Sequence, residues 1–350
     1  MARTHRNLYN SIVCFENLYQ AYLRARKGKR YREEILEYTG NLEHNLVELS
    51  RQLRDGSWQP GDYRVRRIYE PKARDIRIAP FEDRIVHHAL CGVIGPIFER
   101  TFIHDSYACR VGKGTHAAVR RLQSFLRKQN TGYCLSADVS KYFDSINHSI
   151  VLAELEWRLG DVDVLNLAQS ILSSYASNLE LDGTQDPKGI PIGNLTSQWF
   201  ANIIGNRIDS HAKYDMRLKH YLRYMDNFIV LHQDKSYLAE AKLEFETLMR
   251  ELLYLVLNPK TSIFPASNGI PFLGYKVYDD HILARGENVR RGRKRIHQQM
   301  KIISRGEIGH AEFQDSLQAW FAYLNQADTY KLRKQIAREI NSGGHYDHLI

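Results

Sequence analysis

Two acidic residues stand where short predicted strands end, and a carboxylate at such a position can hold a metal ion. Residues 220–231 are apolar or aromatic on both sides of Met225 and Asp226, which predicts two strands joined by a tight turn. Asp138 ends a second apolar segment, residues 133–138, which predicts a buried strand. Taken alone, an acidic turn is more often a solvated loop, so the chemistry depends on the two acids meeting and on further binding residues elsewhere.

A basic hairpin is predicted upstream of these acids. Residues 63–69 alternate in character like a strand, residues 71–74 predict a turn, and residues 76–78 predict a second strand. Lys72 and Arg74 would lie at the tip, where both side chains reach past the turn. Two cations in that position are suited to binding the phosphates of a triphosphate.

A glycine-flanked segment, Gly-Ile-Pro-Ile-Gly-Asn-Leu-Thr-Ser-Gln at residues 189–198, precedes a predicted helix over residues 199–211. The glycines would let the backbone approach a flat ligand such as a base pair. Thr196 and Ser197 are suited to capping the helix. The alternative is a plain helix-entry loop, and the segment alone does not distinguish the two.

The remaining pattern predicts an α+β fold with an antiparallel central sheet, because helices and strands alternate irregularly. No internal repeat or low-complexity segment is found. Helices are predicted over residues 10–53 and 83–94, from residue 115 onwards, in a region that ends at about residue 176, and over residues 235–255. A turn into a strand is predicted over residues 257–263, and a strand bearing a glycine over residues 270–277. A basic, mainly helical section is predicted from residue 290 onwards.

Composition limits the classes of function. The 350 residues carry a formal net charge of +9, which suits a polyanionic partner such as nucleic acid. The polar start and the absence of a long apolar run predict neither a secretory signal nor a membrane span, so a cytoplasmic location is expected. The cysteines are far apart, which argues against a zinc site or disulfide framework. A basic run at residues 24–32 is either a solvated loop or a phosphate-backbone contact.

The order of these segments resembles the motif set of reverse transcriptases, and the resemblance extends from about residue 6 to residue 330. It is strongest to the reverse transcriptases of diversity-generating retroelements, which share Ile-Gly-x-x-x-Ser-Gln. The motifs that carry it are the basic hairpin, Ala-Asp-x-x-x-Tyr-Phe from Ala137, Gly-Ile-Pro-Ile-Gly-x-x-x-Ser-Gln from Gly189, Tyr-Met-Asp from Tyr224, the turn bearing Lys260, and Phe-Leu-Gly-Tyr from Phe272.

The resemblance implies a right-hand polymerase fold. Fingers with an N-terminal helical region would span residues 1–131, an antiparallel palm 132–280, and a basic helical thumb 281–350, with a fingers/palm boundary near 62–80. It also implies the partners: template RNA, a primer or growing cDNA, deoxynucleoside triphosphates, and a small basic accessory protein that forms a helical ring.

The resemblance also implies a metal site. Asp138 and Asp226 match the two palm carboxylates that hold a pair of Mg²⁺ ions, with Mn²⁺ as an alternative, and the Val139 carbonyl would be a further ligand. Two-metal phosphoryl transfer needs such carboxylates at the attacking and leaving oxygens. Asn227 departs from the family, because it stands where a second turn carboxylate is usual. An amide oxygen can coordinate a metal but carries no charge, so metal affinity should fall.

The nucleotide pocket and primer site are implied in the same way. Lys72 and Arg74 match residues that hold the triphosphate, and Phe143 matches the aromatic gate that excludes a 2′-hydroxyl group. Ile192 stands where glutamine is usual, a replacement that accompanies error-prone copying opposite template adenine. The other matches are Gly193, Ser197 and Gln198 in the same pocket, Lys260 as a proton donor to pyrophosphate, and Phe272, Leu273, Gly274 and Tyr275 as the primer grip.

Three functions therefore stay open. The first is a low-fidelity reverse transcriptase that makes adenine-mutagenised cDNA, with its rate lowered by Asn227. The second is a catalytically silent RNA-binding protein, natural or deliberately inactivated, for which Asn227 is the main argument. The third is a retron, group II intron or phage-defence reverse transcriptase. The Ser-Gln ending of the glycine-flanked motif argues against an intron enzyme.

Overall fold

Four helices begin the part of the chain that the structure, a computed structural model, describes: residues 5–69, 73–128, 132–177, 186–303, 305 and 309–340. They are α1 (Tyr9–Val13), α2 (Phe15–Ala25), α3 (Glu33–Gly40) and α4 (Leu42–Asp55). Leu18, Ala21, Tyr22 and Ala25 lie buried on one face of α2. This face packs against a longer helix, α5 (Phe81–Glu99), and the predicted N-terminal helical region is confirmed.

The basic hairpin forms as predicted. β1 (Arg64–Ile68) pairs antiparallel with β2 (Arg74–Ile78), and Ile68 lies opposite Arg74. A cross-strand ion pair of 2.7 Å between Arg67 and Asp75 supports the pairing. Lys72, at the predicted tip, lies outside the described residues. Helix α6 (Thr115–Lys128) begins at the residue that the sequence indicates.

A four-stranded antiparallel sheet occupies the centre of the molecule, in the order β4-β5-β3-β6. Its strands are β3 (Tyr133–Asp138), β4 (His220–Tyr224), β5 (Asn227–His232) and β6 (Ser262–Pro265). Successive side chains point to opposite faces, so Leu135 and Phe228 enter one hydrophobic core while Cys134 and Ile229 enter another. Burial on both faces explains why these strands are almost continuously apolar.

The described residues form five further helices between β3 and β6, and two of these helices differ from prediction. They are α7 (Tyr142–Ser145), α8 (His148–Glu156), α9 (Val162–Ser173), α10 (Leu195–Ser210) and α11 (Lys235–Leu248). α10 begins four residues before the predicted start, and its N-cap residue is the extended Asn194. Thr196 and Ser197 lie buried within its first turn, so the prediction that they cap the helix was wrong. α11 ends at Leu248 and continues as a π-helical turn, Met249–Leu253.

The segment over residues 270–277 is not one strand but a hairpin, so that prediction was wrong. β7 (Ile270–Phe272) and β8 (Tyr275–Val277) pair across a two-residue turn, and β9 (Ile282–Ala284) completes a separate sheet. Leu273 and Gly274 have φ angles of 47° and 91°, and positive φ at both central residues is what a tight hairpin turn requires.

Three C-terminal helices form a core of their own, as the basic helical section predicts. They are α12 (Gly286–Ile303), α13 (His310–Leu324) and α14 (Tyr330–Ile340), packed around Phe313, Leu317 and Trp320. None of the helices that the structure describes combines the length and apolar character that a membrane crossing requires. Antiparallel sheets flanked by helices confirm the α+β prediction.

Candidate active site

The central sheet brings the two acidic segments together at one end. Asp138, the last residue of β3, lies opposite Asn227, the first residue of β5. The backbone N–H of Val139 donates to the carbonyl oxygen of Asp226 at 3.0 Å, which fixes the two chain segments side by side. Burial raises the pKa of Asp226 to about 6, and the nearby charge of Asp138 adds to the shift. The structure therefore forms a partly buried pair of carboxylates from the two acids that the sequence indicates.

The turn that presents Asp226 depends on an arginine that the sequence analysis did not select. Tyr224 and Asn227 are paired residues, and Met225 between them has a φ of 57°. The Arg223 guanidinium is 1% exposed and forms an ion pair of 2.7 Å with Asp209 of α10. An arginine inside an otherwise apolar strand was the available signal, since such a residue is rarely buried without a partner.

Asp138 is supported by a second residue that the sequence analysis passed over. The Asn258 side chain donates from Nδ2 to Oδ2 of Asp138 at 2.9 Å, and its backbone N–H donates to the Asp138 carbonyl oxygen at 2.7 Å. The Asn258 Oδ1 atom accepts from the backbone N–H of Lys260 at 3.0 Å. Asn258 therefore joins the predicted Lys260 turn to the acidic pair, and the Lys260 side chain itself is exposed.

One observation indicates that the residues of this site fit a divalent cation. The Oδ1 atom of Asn227 is buried and has no hydrogen-bond partner among the described residues. An orphaned oxygen beside two crowded carboxylates is a group that a bound cation would satisfy. Among the described residues, no three His, Cys, Asp or Glu side chains come together as a metal site. Asp138 and Asp226 supply two carboxylates, and Asn227 supplies an amide oxygen.

The predicted nucleotide-pocket residues lie on elements that contact one another. The carbonyl oxygen of Ile192 accepts from the backbone N–H of Arg77 in β2 at 3.1 Å. Gly193 has a φ of 124°, and a Cβ atom there would lie 2.9 Å from the Arg77 carbonyl oxygen, so the close approach requires glycine. The glycine-flanked loop is thus bound to the basic hairpin, and its role beside a base pair stays a prediction.

Two more predicted residues, Phe143 and Arg74, lie near the glycine-flanked loop and near the acidic pair, respectively. The Phe143 carbonyl oxygen accepts from the backbone N–H of Ile190 at 2.8 Å, so α7 and the glycine-flanked loop are joined. The positive charge of Arg74 lowers the pKa of Asp226 slightly against the larger effect of burial, which brings the hairpin within electrostatic reach of the acids. Gln198, in the first turn of α10, is partly buried.

The predicted primer-grip residues lie in the separate three-stranded sheet and are held by the C-terminal helices. Phe272 and Tyr275 are buried, so Leu273 and Gly274 are the more accessible members. The Gly274 carbonyl oxygen accepts from the Tyr323 hydroxyl at 2.6 Å, and the Tyr275 hydroxyl donates to the Tyr323 carbonyl oxygen at 3.0 Å. The hairpin turn and helix α13 therefore form one unit.

An antiparallel sheet that carries paired acids beside a basic hairpin is the arrangement expected of a template-directed polymerase. A family model described as "Reverse transcriptase (RNA-dependent DNA polymerase)" matches residues 69–277. The chain belongs to the reverse transcriptase family, and this membership supports its assignment as an enzyme of the reverse transcriptase class. The predicted fold class and enzyme class are confirmed, whereas the boundaries of fingers, palm and thumb stay a prediction.

Sequence identity to individual relatives is low. Protein YkfC of Escherichia coli (strain K12) is 25% identical over 272 residues, which cover 66% of this chain and 71% of that protein. The group II intron-encoded protein LtrA of Lactococcus lactis subsp. cremoris is 26% identical over 218 residues, or 59% of this chain. The chain spans only 33% of LtrA. A structure of apo telomerase from Candida tropicalis has a TM-score of 0.49 at 10% identity, covering 77% of this chain and 66% of that one.

Proposed function

We propose that this protein is an RNA-directed DNA polymerase that copies a template RNA into cDNA, with frequent errors opposite template adenine, as in a diversity-generating retroelement. The observation that carries the polymerase proposal is the register of the central sheet, which sets Asp138 opposite Asn227 and beside Asp226. A partly buried carboxylate such as Asp226, with a raised pKa and a second carboxylate beside it, is costly to keep ionised without a cation, and groups of this kind cluster at functional sites.

Asp138, Asp226, the amide oxygen of Asn227 and the Val139 carbonyl group would hold two Mg²⁺ ions. Bound there, the ions would supply charge stabilisation to the attacking and leaving oxygens of nucleotidyl transfer. Asn258 keeps the Asp138 carboxylate in one orientation through its hydrogen bond of 2.9 Å. Lys260 follows Asn258 in the same turn and would be placed to protonate pyrophosphate.

The remaining residues would bind and select the substrate. Arg74, together with Lys72 outside the described residues, would bind the triphosphate. Phe143 would exclude a 2′-hydroxyl group and thereby select deoxynucleotides. Gly193, Ser197 and Gln198 would border the same pocket. Leu273 and Gly274, between Phe272 and Tyr275, would contact the primer end.

The low-fidelity part of the proposal depends on Ile192. Its carbonyl oxygen is fixed to Arg77 of β2, so the side chain belongs to a loop with a defined position. An aliphatic side chain offers no hydrogen bond to a base or sugar, and it would therefore discriminate less by polar contact than an amide side chain. Support for the retroelement type is limited to the Ile-Gly-x-x-x-Ser-Gln resemblance.

Primer extension on an RNA template with Mg²⁺ and deoxynucleotides tests the proposal. The matched variant is Asp138→Ala, because Asp138 makes no contribution to the hydrophobic cores. We expect Asp138→Ala to abolish extension. Sequencing of the product that the natural chain makes should show errors concentrated opposite adenine. Extension that survives in Asp138→Ala would defeat the assignment, and an even error spectrum would defeat only the retroelement part.

A second candidate, an RNA-binding protein without polymerase activity, is favoured by one observation: an amide stands where the second turn carboxylate is expected. Asn227→Asp separates the two candidates. Activity that appears only in Asn227→Asp, together with measured RNA binding by the natural chain, would support the second candidate. A small basic accessory protein and the template RNA are the partners that we propose, and co-purification from the native host tests both.

A further inference from the structure

Cationic side chains from two separate segments meet on the outer side of helix α5. Arg24 belongs to the last turn of α2, and its guanidinium lies across α5 at Gly92, where a Cβ atom would be 2.9 Å from Nη2. Lys29 and Arg32 follow in a chain of turns held by backbone hydrogen bonds of 3.0–3.1 Å. Arg84 and His88 lie one turn apart on α5. We call these residues the cation cluster: Arg24, Lys29, Arg32, Arg84 and His88.

The positive charges of the cation cluster exceed the acidic charge placed among them. Glu34 is the carboxylate that the structure sets beside Arg84, at 2.7 Å. The Arg84 side chain is 14% exposed, and its Nε atom is buried with no hydrogen-bond partner among the described residues. Because the orphaned N–H group is buried, Arg84 contributes positive charge to the cluster rather than a direct hydrogen bond to an incoming anion.

Burial and the neighbouring positive charges lower the pKa values of two residues of this cluster. Burial lowers the pKa of Lys29, and the neighbouring charges of Arg84 and Arg32 lower it further. Burial also lowers the pKa of His88 to about 4, with contributions from Arg24, Lys29 and Arg84. His88 is therefore neutral near pH 7, and the cluster then consists of four cations. Arg24, Lys29 and Arg32 are exposed and therefore accessible to an anion, whereas Arg84 and His88 are partly buried.

An exposed aromatic ring accompanies the cations. Tyr31 is 90% exposed and lies between Arg30 and Arg32 in the sequence. Proteins that bind single-stranded nucleic acid combine cations along the backbone with aromatic rings on which bases stack. A single-stranded nucleic acid would use both the cations and the ring.

We propose that the cation cluster binds the phosphate backbone of single-stranded RNA at a surface distinct from the candidate active site, with Tyr31 stacking on a base. The inference rests on the proposed function in one respect, since the bound RNA would be part of the template RNA. No residue of the cluster is a predicted catalytic, nucleotide-pocket or primer-grip residue. The surface would therefore retain the RNA rather than align the copied base.

The test measures binding of a fluorescein-labelled single-stranded RNA of mixed sequence to the full chain by anisotropy, over a range of salt concentrations. Lys29→Ala/Arg32→Ala removes two cations of the cluster. Lys235→Ala/Lys242→Ala on α11 removes the same net charge elsewhere and serves as the matched control. We expect the first pair to weaken binding about 10-fold and to reduce the salt slope by about 1 to 2, with the control within about 2-fold of the natural chain.

Tyr31→Ala provides a second arm that leaves the charge unchanged. It should weaken binding of single-stranded RNA while leaving duplex RNA unaffected, because paired bases cannot stack on the ring. RNA affinity equal to the control's in Lys29→Ala/Arg32→Ala would overturn the proposal. Binding of labelled polyglutamate is measured in the same way, and a Lys29→Ala/Arg32→Ala variant that loses polyglutamate binding but keeps its RNA affinity would assign the surface to an acidic protein instead. Primer extension is measured in parallel. If the natural chain does not extend a primer, the proposed function fails, but the comparison of RNA affinities between the variants and the control remains valid.

Discussion

The Nη1 atom of Arg223 donates a hydrogen bond of 2.9 Å to the carbonyl oxygen of Met225, the residue before the catalytic candidate Asp226. The same guanidinium is bound through Nε and Nη2 to both carboxylate oxygens of Asp209, each at 2.7 Å. Arg223 therefore links the acidic turn to helix α10. Its charge also opposes the rise in the pKa of Asp226 that burial causes.

Substitution of Arg223 should damage both stability and turn geometry. Arg223→Met would leave Asp209 buried without its partner, and we expect a loss of about 3–5 kcal/mol in the free energy of unfolding. Arg223→Lys keeps the charge but lacks the planar fork, so the turn should be held less accurately and extension should slow by roughly 10- to 100-fold. Urea unfolding and single-nucleotide extension kinetics measure the two effects.

Tyr221→Phe is the control for Arg223, because the Tyr221 hydroxyl also donates to Asp209, at 2.7 Å, but does not contact Met225. It should cost about 1 kcal/mol of stability and leave the extension rate within about 2-fold. If Arg223→Lys folds normally and extends at the natural rate, Arg223 supports only the core and not the catalytic turn.

Removal of the Asn258 side chain should affect the same site from its other side. Asn258→Ala deletes the 2.9 Å hydrogen bond to Asp138 and leaves the backbone bond between the two residues in place. We expect a fall in stability of about 0.5–1.5 kcal/mol and a rise in the Mg²⁺ concentration required for half-maximal extension. An unchanged Mg²⁺ requirement would show that Asp138 keeps its orientation without Asn258.

Sequence analysis identified the residues whose local sequence pattern predicts a strand or a turn. Strands β3, β4 and β5 are mainly apolar or aromatic segments that end at Asp138 or flank Met225 and Asp226, so both the elements and the acids were predictable. The family's motif order then linked acids that are far apart in the sequence. The pairing of Asp138 with Asn227 required only that these strands be neighbours.

Supporting contacts were not predictable in the same way. Arg223 and Asn258 act through partners that only the folded chain brings near, and neither belongs to a periodic pattern. The Leu273-Gly274 turn was missed because the residues around it are apolar, and a non-glycine residue with positive φ has no strong sequence signal. The cation cluster combines the run at residues 24–32 with α5, and only the run was visible in the sequence.

The raised pKa of Asp226 predicts a stability cost at neutral pH in the metal-free protein. An acid with an ordinary pKa of 3.8 that titrates near 6 when folded binds more protons in the folded than in the unfolded state between those values. The free energy of unfolding should therefore fall as pH rises from about 4 to 6. Asp226→Asn removes this cost and should be more stable than the natural chain at pH 7.5, by about 1–3 kcal/mol.

Urea unfolding in EDTA at pH 7.5 and pH 4 measures the difference, which should be largest at pH 7.5 and small at pH 4. Asp234→Asn is the control, because hydrogen bonds from Ser236 lower the pKa of Asp234 instead. That variant should lose stability at pH 7.5 rather than gain it. A gain for Asp226→Asn of the same size at both pH values would mean that charge burial is not its cause.

Asn227→Asp should strengthen metal binding while destabilising the metal-free protein. It replaces a neutral, orphaned amide oxygen with a third carboxylate beside Asp138 and Asp226. Like charges repel without a cation, and a carboxylate is a stronger ligand than an amide when the cation is bound. We expect a lower melting temperature in EDTA, a larger Mg²⁺-induced rise in that temperature, and an increase in extension rate of at least about 10-fold.

Asn227→Ala completes the comparison, because it removes the amide oxygen without adding charge. If Asn227 contributes to cation binding, the Mg²⁺-induced rise in melting temperature should increase in the order Ala, Asn, Asp at position 227, following ligand strength. Equal responses in all three proteins would show that the cation is held by Asp138 and Asp226 alone. The orphaned oxygen would then be a cost of the fold rather than part of the site.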